Sequence, residues 1–204
     1  MTRRIVIAAV VGALLLAGAA TAAVLLLDSG TGRDAYRGSV PPPGFALPAF
    51  TLPDSSGAIV SSDELEGKVV LVTFLDSQCT EACPIVASQI ARAVDSLEAE
   101  ERASVAPVAI STDPDEDTPI AVREFLRKNR AEGRLRYLVA PVDRLRPVWD
   151  VFQIAASYDT GVDTLHSAPV RIYDREGIWV STLHAGADLT TQNLVHDLRV
   201  ALAS

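Results

Sequence analysis

Cysteine is scarce in this 204-residue chain: there are two, Cys79 and Cys83, with three residues between them. So close a pair is a poor staple, because the loop-entropy benefit of a disulfide grows with the loop it closes. No cysteine lies near the apolar N-terminal run, which excludes a lipid-modified anchor there. Positive charge is also short: 18 Lys and Arg against 26 Asp and Glu leave a net charge of −8. Nucleic-acid binding, which needs a basic face, is excluded on that count. No internal repeat is visible, so stacked-repeat architectures are excluded too. From Ile5 to Leu27, charge is missing altogether for 23 residues.

That uncharged run is made of Ala, Val, Leu, Ile, Gly and one Thr. It exceeds the roughly 7–15 residues of a secretory signal core and matches the about 20 needed to span a bilayer as a helix. "AGAATAA" at 17–23 offers small residues for cleavage, but "VLLL" continues the run beyond it. We read residues 5–27 as an uncleaved transmembrane anchor and residues 1–4 as a cytoplasmic stub held inside by Arg3 and Arg4. The expected location is the cell membrane, single-pass, with the C-terminal part on the extracytoplasmic side, where disulfides persist. All 26 acidic residues and all but two of the basic ones lie at or beyond Asp28, so that part carries ten net negative charges. Residues 28–44, "DSGTGRDAYRGSVPPPG", read as a spacer, and residues 45–204 as one domain.

Within the domain, pattern predicts an order of elements. Two short strands flank a turn at Asp54–Gly57. "KVVLVTFL" (68–75) is a continuous β-branched run, hence a buried central strand. A helix is expected over 84–102 and a second buried strand over 105–112. Thr118 as N-cap and Pro119 at the first helical position start another helix. A short strand follows at 137–140, then a helix over 143–154 with Pro147 near its first turn. A hairpin turns at Asp174–Gly177, and a helix closes the chain from Asp188 to Ala203. Alternating strands and helices with a late hairpin imply an α/β fold with a mixed central sheet flanked by helices. The order matches a thioredoxin-like fold with an N-terminal β-hairpin extension.

This places both cysteines in the loop after the first central strand, at the strand ends where open α/β sheets bind ligands. Pro84 fits only the first turn of a helix, so the helix begins near Glu81 to Cys83. The N-terminal N–H groups there favour a thiolate at Cys83, while Cys79, in the loop, can adjust. Such a pair is a soft-metal site or a redox couple able to close a Cys79–Cys83 disulfide, and spacing alone leaves both open.

"FTLPDSSGAIVSSDELEGKVVLVTFLDSQCTEACP", "ISTDPDEDTP" and "HSAPVRIYDREG" together resemble, in sequence and order, the Sco/SenC family of copper chaperones. The motifs that carry the likeness are C-x3-C-P at 79–84, S-x-D-P-x-x-D-T-P at 111–119, and the His-Ser pair before the last hairpin. The resemblance implies a membrane-anchored thioredoxin-fold protein that helps load copper into cytochrome c oxidase. Its partner would be the oxidase's copper subunit or another copper carrier, and its copper ligands Cys79, Cys83 and His166. Copper(I) is soft and takes two thiolates with an imidazole, and binding requires the cysteines to be reduced. The resemblance implies a carrier more than an enzyme. The alternative is a thiol-disulfide oxidoreductase with Cys79 and Cys83 as its redox pair. Pro169 favours it, since counting back from Gly177 it falls where thioredoxins place a cis-proline beside their dithiol.

The other histidines match no motif: His184 ends a predicted strand and His196 sits in the last helix. The acidic run at 113–117 is expected to cap a helix and carry solvated charge. As a calcium loop it lacks the glycine required at its sixth position. Trp149 and Trp179 lie on predicted apolar faces and are expected in the core.

Overall fold

The computed structural model describes residues 36–160 and 168–204, apart from the side chains of Ser157 and Thr160. The expected membrane anchor at 5–27 and the expected ligand His166 lie outside the described residues. Among those described, no helix is long and apolar enough to cross a membrane.

An antiparallel pair comes first, β1 (Thr51–Pro53) and β2 (Ile59–Ser61). Its turn is set by Asp54, whose carbonyl accepts the Gly57 N–H at 2.8 Å. Gly57 adopts a φ of 91°, a conformation glycine takes without the Cβ clash. The main sheet runs β5 (Arg136–Leu138), β4 (Val105–Ser111), β3 (Val69–Leu75), β6 (Val170–Tyr173), β7 (Trp179–Leu183). β3, β4 and β5 are parallel, and β6 is antiparallel to both β3 and β7. This is the mixed sheet of a thioredoxin-like fold. β3 is buried along its whole length, as its unbroken apolar run requires: one face serves each side of the sheet. Val69, Leu71 and Leu75 pack with α1 (Ala82–Asp95) and with α6 (Thr191–Ala203), the last helix, which follows the short α5 (Ser157–Thr160) in the chain. Val70, Val72 and Phe74 pack with the β1–β2 pair and α4 (Val142–Phe152).

Two helices differ from expectation. The stretch 84–102 is not one helix: α1 ends at Asp95, and a short α2 (Ala99–Ala103) begins afresh. The carboxylate of Glu101 accepts the Glu98 N–H at 2.9 Å to start α2, and Arg102 donates to the carbonyls of Val94 and Leu97 at 3.1 and 2.8 Å to finish α1. These local caps outcompete continuation of the helix. Pro147 lies inside α4, beyond its first turn, so one backbone hydrogen bond is forgone in a helix otherwise held by the burial of Leu145, Val148, Trp149 and Phe152. Thr118 caps α3 (Pro119–Lys128) as expected, accepting the Ala121 N–H at 3.2 Å. Trp149 is buried; Trp179 is half-buried, with the Arg171 guanidinium 4.6 Å from its ring centroid.

The stretch read as a spacer contributes contacts of its own. The backbone N–H groups of Arg37 and Gly38 both donate to the buried carboxylate of Asp197, at 2.8 and 3.0 Å, and Ser39 pairs with Thr182.

Candidate metal and dithiol site

Cys79 lies in the loop that follows the C-terminal end of β3, and Cys83 is the second residue of α1. The loop is built by Asp76, the first residue after the strand. One of its carboxylate oxygens accepts the Gln78 N–H at 2.7 Å, and its carbonyl accepts the Cys79 N–H at 3.3 Å. This is the local turn that aspartate favours. Pro84 is the third residue of α1, where its missing N–H costs nothing. Glu81, at the N-cap, gives no side-chain hydrogen bond. The Cys83 N–H instead points at the Cys79 sulfur, 3.5 Å away. Cys79 therefore takes part of the capping role.

Both residues are present as thiols and both are buried, 3 % exposed at Cys79 and 0 % at Cys83. Gln78, Thr80 and Glu81 are exposed around them. The expectation of an acidified Cys83 is not met. Contact with the Cys79 thiol, and then burial, push the Cys83 thiol far above the usual cysteine range. The helix N-terminus does act on sulfur, but the N–H it offers goes to Cys79. Nor is Cys79 loose in the loop, since both its N–H and its sulfur are engaged.

Sequence reasoning missed three residues here. Asp117 is 1 % exposed; its two carboxylate oxygens accept the Ser77 N–H at 2.8 Å and the Tyr137 hydroxyl at 2.8 Å. Burial raises its pKa above the usual aspartate value, partly offset by these hydrogen bonds. Tyr137, fully enclosed, is raised well above the ordinary phenol value by burial and by the Asp117 charge. Asp76 is the third. The acidic run thus divides. Asp115 and Glu116 are exposed as expected, and Asp113 folds back to accept the Asp115 N–H at 3.2 Å. Asp117 is buried against the cysteine loop. The visible signal was the second aspartate of S-x-D-P-x-x-D-T-P, directly before the helix cap.

Two sulfurs in mutual contact beside a helix N-terminus suit a soft cation or dithiol exchange. Among the described residues, no three His, Cys, Asp or Glu side chains gather to hold a metal ion. Ala168, two residues after His166, packs in the same apolar cluster as Cys79 and Cys83. Pro169 is buried at the start of β6, and no peptide bond among the described residues is cis, so the cis-proline expected from thioredoxins is not found there. His184 follows β7 and is exposed. His196 lies in α6 with its Nδ1 3.2 Å from Asp197, so the structure brings neither histidine to the cysteines through any hydrogen bond or ion pair.

The family sequence model described as SCO1/SenC matches residues 42–203. The chain belongs to the SCO1/SenC family. A related SCO2-like protein of Rickettsia felis is 36 % identical over 78 residues, covering 38 % of this chain and 38 % of its own length. The match thus spans well under half of that relative. Two solved structures of Sco proteins share the fold. Bradyrhizobium japonicum ScoI, determined with copper bound, superposes with a TM-score of 0.61 at 24 % identity, over 78 % of this chain and 100 % of that one. BsSco, in which a disulfide switch was identified and which is a member of the Sco family of cytochrome c oxidase assembly proteins, gives 0.65 at 18 % identity, over 79 % and 96 %.

Proposed function

We propose that this SCO1/SenC protein is a membrane-anchored, extracytoplasmic copper carrier. It holds copper(I) between the thiolates of Cys79 and Cys83 and the imidazole of His166, and passes it to the copper subunit of cytochrome c oxidase or to another copper carrier. The observation that carries the reading is the pair of buried thiols at the start of α1, with the Cys83 N–H pointing at the Cys79 sulfur, in a chain matched by the SCO1/SenC family model. The donor set fits: thiolates and imidazole suit copper(I), and the exposed residues over the loop leave a side from which an acceptor's ligands can attack. A cation bound at the sulfurs would displace the proton that contact with Cys79, and then burial, hold on the Cys83 thiol. The copper-bound ScoI structure supports the same choice of metal.

A second reading draws on the sulfur–sulfur contact and on the disulfide switch of BsSco. The reduced pair can give two electrons and two protons to an oxidised partner disulfide and close the Cys79–Cys83 bond.

The test is a titration of reduced full-length protein with copper(I) against a competing chelator. One copper per chain is expected, with binding lost in Cys79→Ser and in Cys83→Ser. Failure of the wild type to compete would refute the carrier reading. The proposed anchor is checked by washing membranes with high salt and carbonate: the protein should stay, whereas a soluble form beginning near residue 20–24 would mean a cleaved signal.

A further inference from the structure

We propose that Asp117 is the positioning residue of the cysteine loop, tying residues 76–79 to the phenol of Tyr137 so that Cys79 keeps its place over the start of α1. The inference rests on the copper reading for its purpose but on hydrogen bonds for its geometry. One carboxylate oxygen of Asp117 accepts the Ser77 N–H, and the other accepts the Tyr137 hydroxyl, each at 2.8 Å. Ser77 is followed at once by Gln78 and Cys79, whose N–H groups are turned back onto Asp76. The Cys79 sulfur then meets the Cys83 N–H. The chain of contacts therefore runs unbroken from β5, which carries Tyr137, through Asp117 to the sulfurs.

A buried carboxylate is costly, and an apolar residue of similar size often serves stability as well or better. Its use here is explained by what an apolar residue lacks: two acceptors facing different elements. Asp117 is itself fixed, its N–H bonded to the Asp113 carbonyl at 3.0 Å, and α3 starts two residues later. The second aspartate of S-x-D-P-x-x-D-T-P thus acts on the first cysteine of C-x3-C, 38 positions earlier in the chain.

The experiment uses reduced full-length protein in detergent and reads three quantities: copper(I) affinity against a chelator, the rate of Cys79 alkylation by iodoacetamide, and the thermal midpoint. Asp117→Ala should weaken copper(I) by about 10–100-fold, the range typical of groups that orient metal ligands, and speed Cys79 alkylation by a similar factor. Asp117→Asn keeps an acceptor for the Ser77 N–H and should stay within about threefold of wild type in both. Tyr137→Phe frees one oxygen only and should fall between. Asp197→Asn weakens a buried carboxylate elsewhere in the domain, and should lower the midpoint while leaving both thiol readouts unchanged.

Wild-type thiol readouts in Asp117→Ala would overturn the proposal. So would equal changes in Asp197→Asn, because the effect would then be general loosening. If Asp117→Ala does not fold, Tyr137→Phe decides: alkylation several-fold faster than wild type supports the proposal, and an unchanged rate overturns it. Wild-type protein that binds no copper(I) would refute the copper reading, and the alkylation series would still test Asp117.

Discussion

Two buried carboxylates in this domain do similar chemistry in different places. Asp197, in α6, accepts the N–H groups of Arg37 and Gly38 and the Ser181 hydroxyl, and pairs with His196. Asp117, before α3, accepts the Ser77 N–H and the Tyr137 hydroxyl. Each accepts from the backbone of an irregular segment that no strand would satisfy, two N–H groups at Asp197 and one at Asp117. At Asp197 the segment is the N-terminal arm, and the result is architecture. At Asp117 it is the loop that leads to Cys79, and the result is the geometry of the proposed copper site. A buried charge is therefore no guide to function until the segment it holds is known.

The comparison can be broken by substitution. The largest effect is expected at the arm. Asp197→Ala leaves the Arg37 and Gly38 amides and the Ser181 hydroxyl without their acceptor, and should cost roughly 3 kcal/mol or more, at about 1–3 for each buried group left unpaired. Chemical denaturation measures this, and copper(I) binding should be unaffected. Gly38→Ala attacks the same clasp sterically. A Cβ there would crowd the Ser181 hydroxyl and sit 2.6 Å from the Thr182 carbonyl oxygen, for an expected loss of about 1–3 kcal/mol. An unchanged denaturation midpoint would mean that the arm is not held as described. Thr118→Ala, which removes the cap of α3 beside Asp117, should cost about 1 kcal/mol.

The smallest effect concerns pH. The Asp117 carboxyl has a raised pKa in the folded protein, burial being the main cause. The folded state therefore holds its proton to higher pH than the unfolded state does. Between the unfolded value, near 4, and the raised folded value, the wild type should lose stability as pH rises, with no further change from this group above that window. Asp117→Asn should lack this contribution. Parallel denaturation of both proteins from pH 4 upward measures the difference, and parallel curves would contradict the assignment.

Much of the fold was legible because it depends on local pattern. The run 68–75 declared a strand buried on both faces. Asp54–Gly57 and Asp174–Gly177 announced turns that the structure contains, each closed by a Gly N–H to Asp carbonyl bond of 2.8 and 3.0 Å. The C-x3-C-P motif showed where the cysteines would stand relative to strand and helix. Less legible was whatever depends on partners far away in sequence. Asp117 looks like solvated charge until Ser77, 40 positions earlier, is brought beside it. The Cys83 thiol looked acidified by its helix, because the sequence does not reveal that Cys79 occupies the donor. The break after Asp95 came from caps on Glu101 and Arg102 that compete with an otherwise helical periodicity.

The most direct test of the account pairs copper(I) affinity with the dithiol reduction potential, in wild type and His166→Ala. Loss of one of the three proposed ligands should weaken copper(I) at least about 10–100-fold, since changes to groups that only orient ligands reach that range. Disulfide chemistry at Cys79 and Cys83 needs no histidine, so the potential should move by less than about 30 mV, or 1.4 kcal/mol for a two-electron couple. Unchanged copper(I) affinity in His166→Ala would contradict the proposed ligand set.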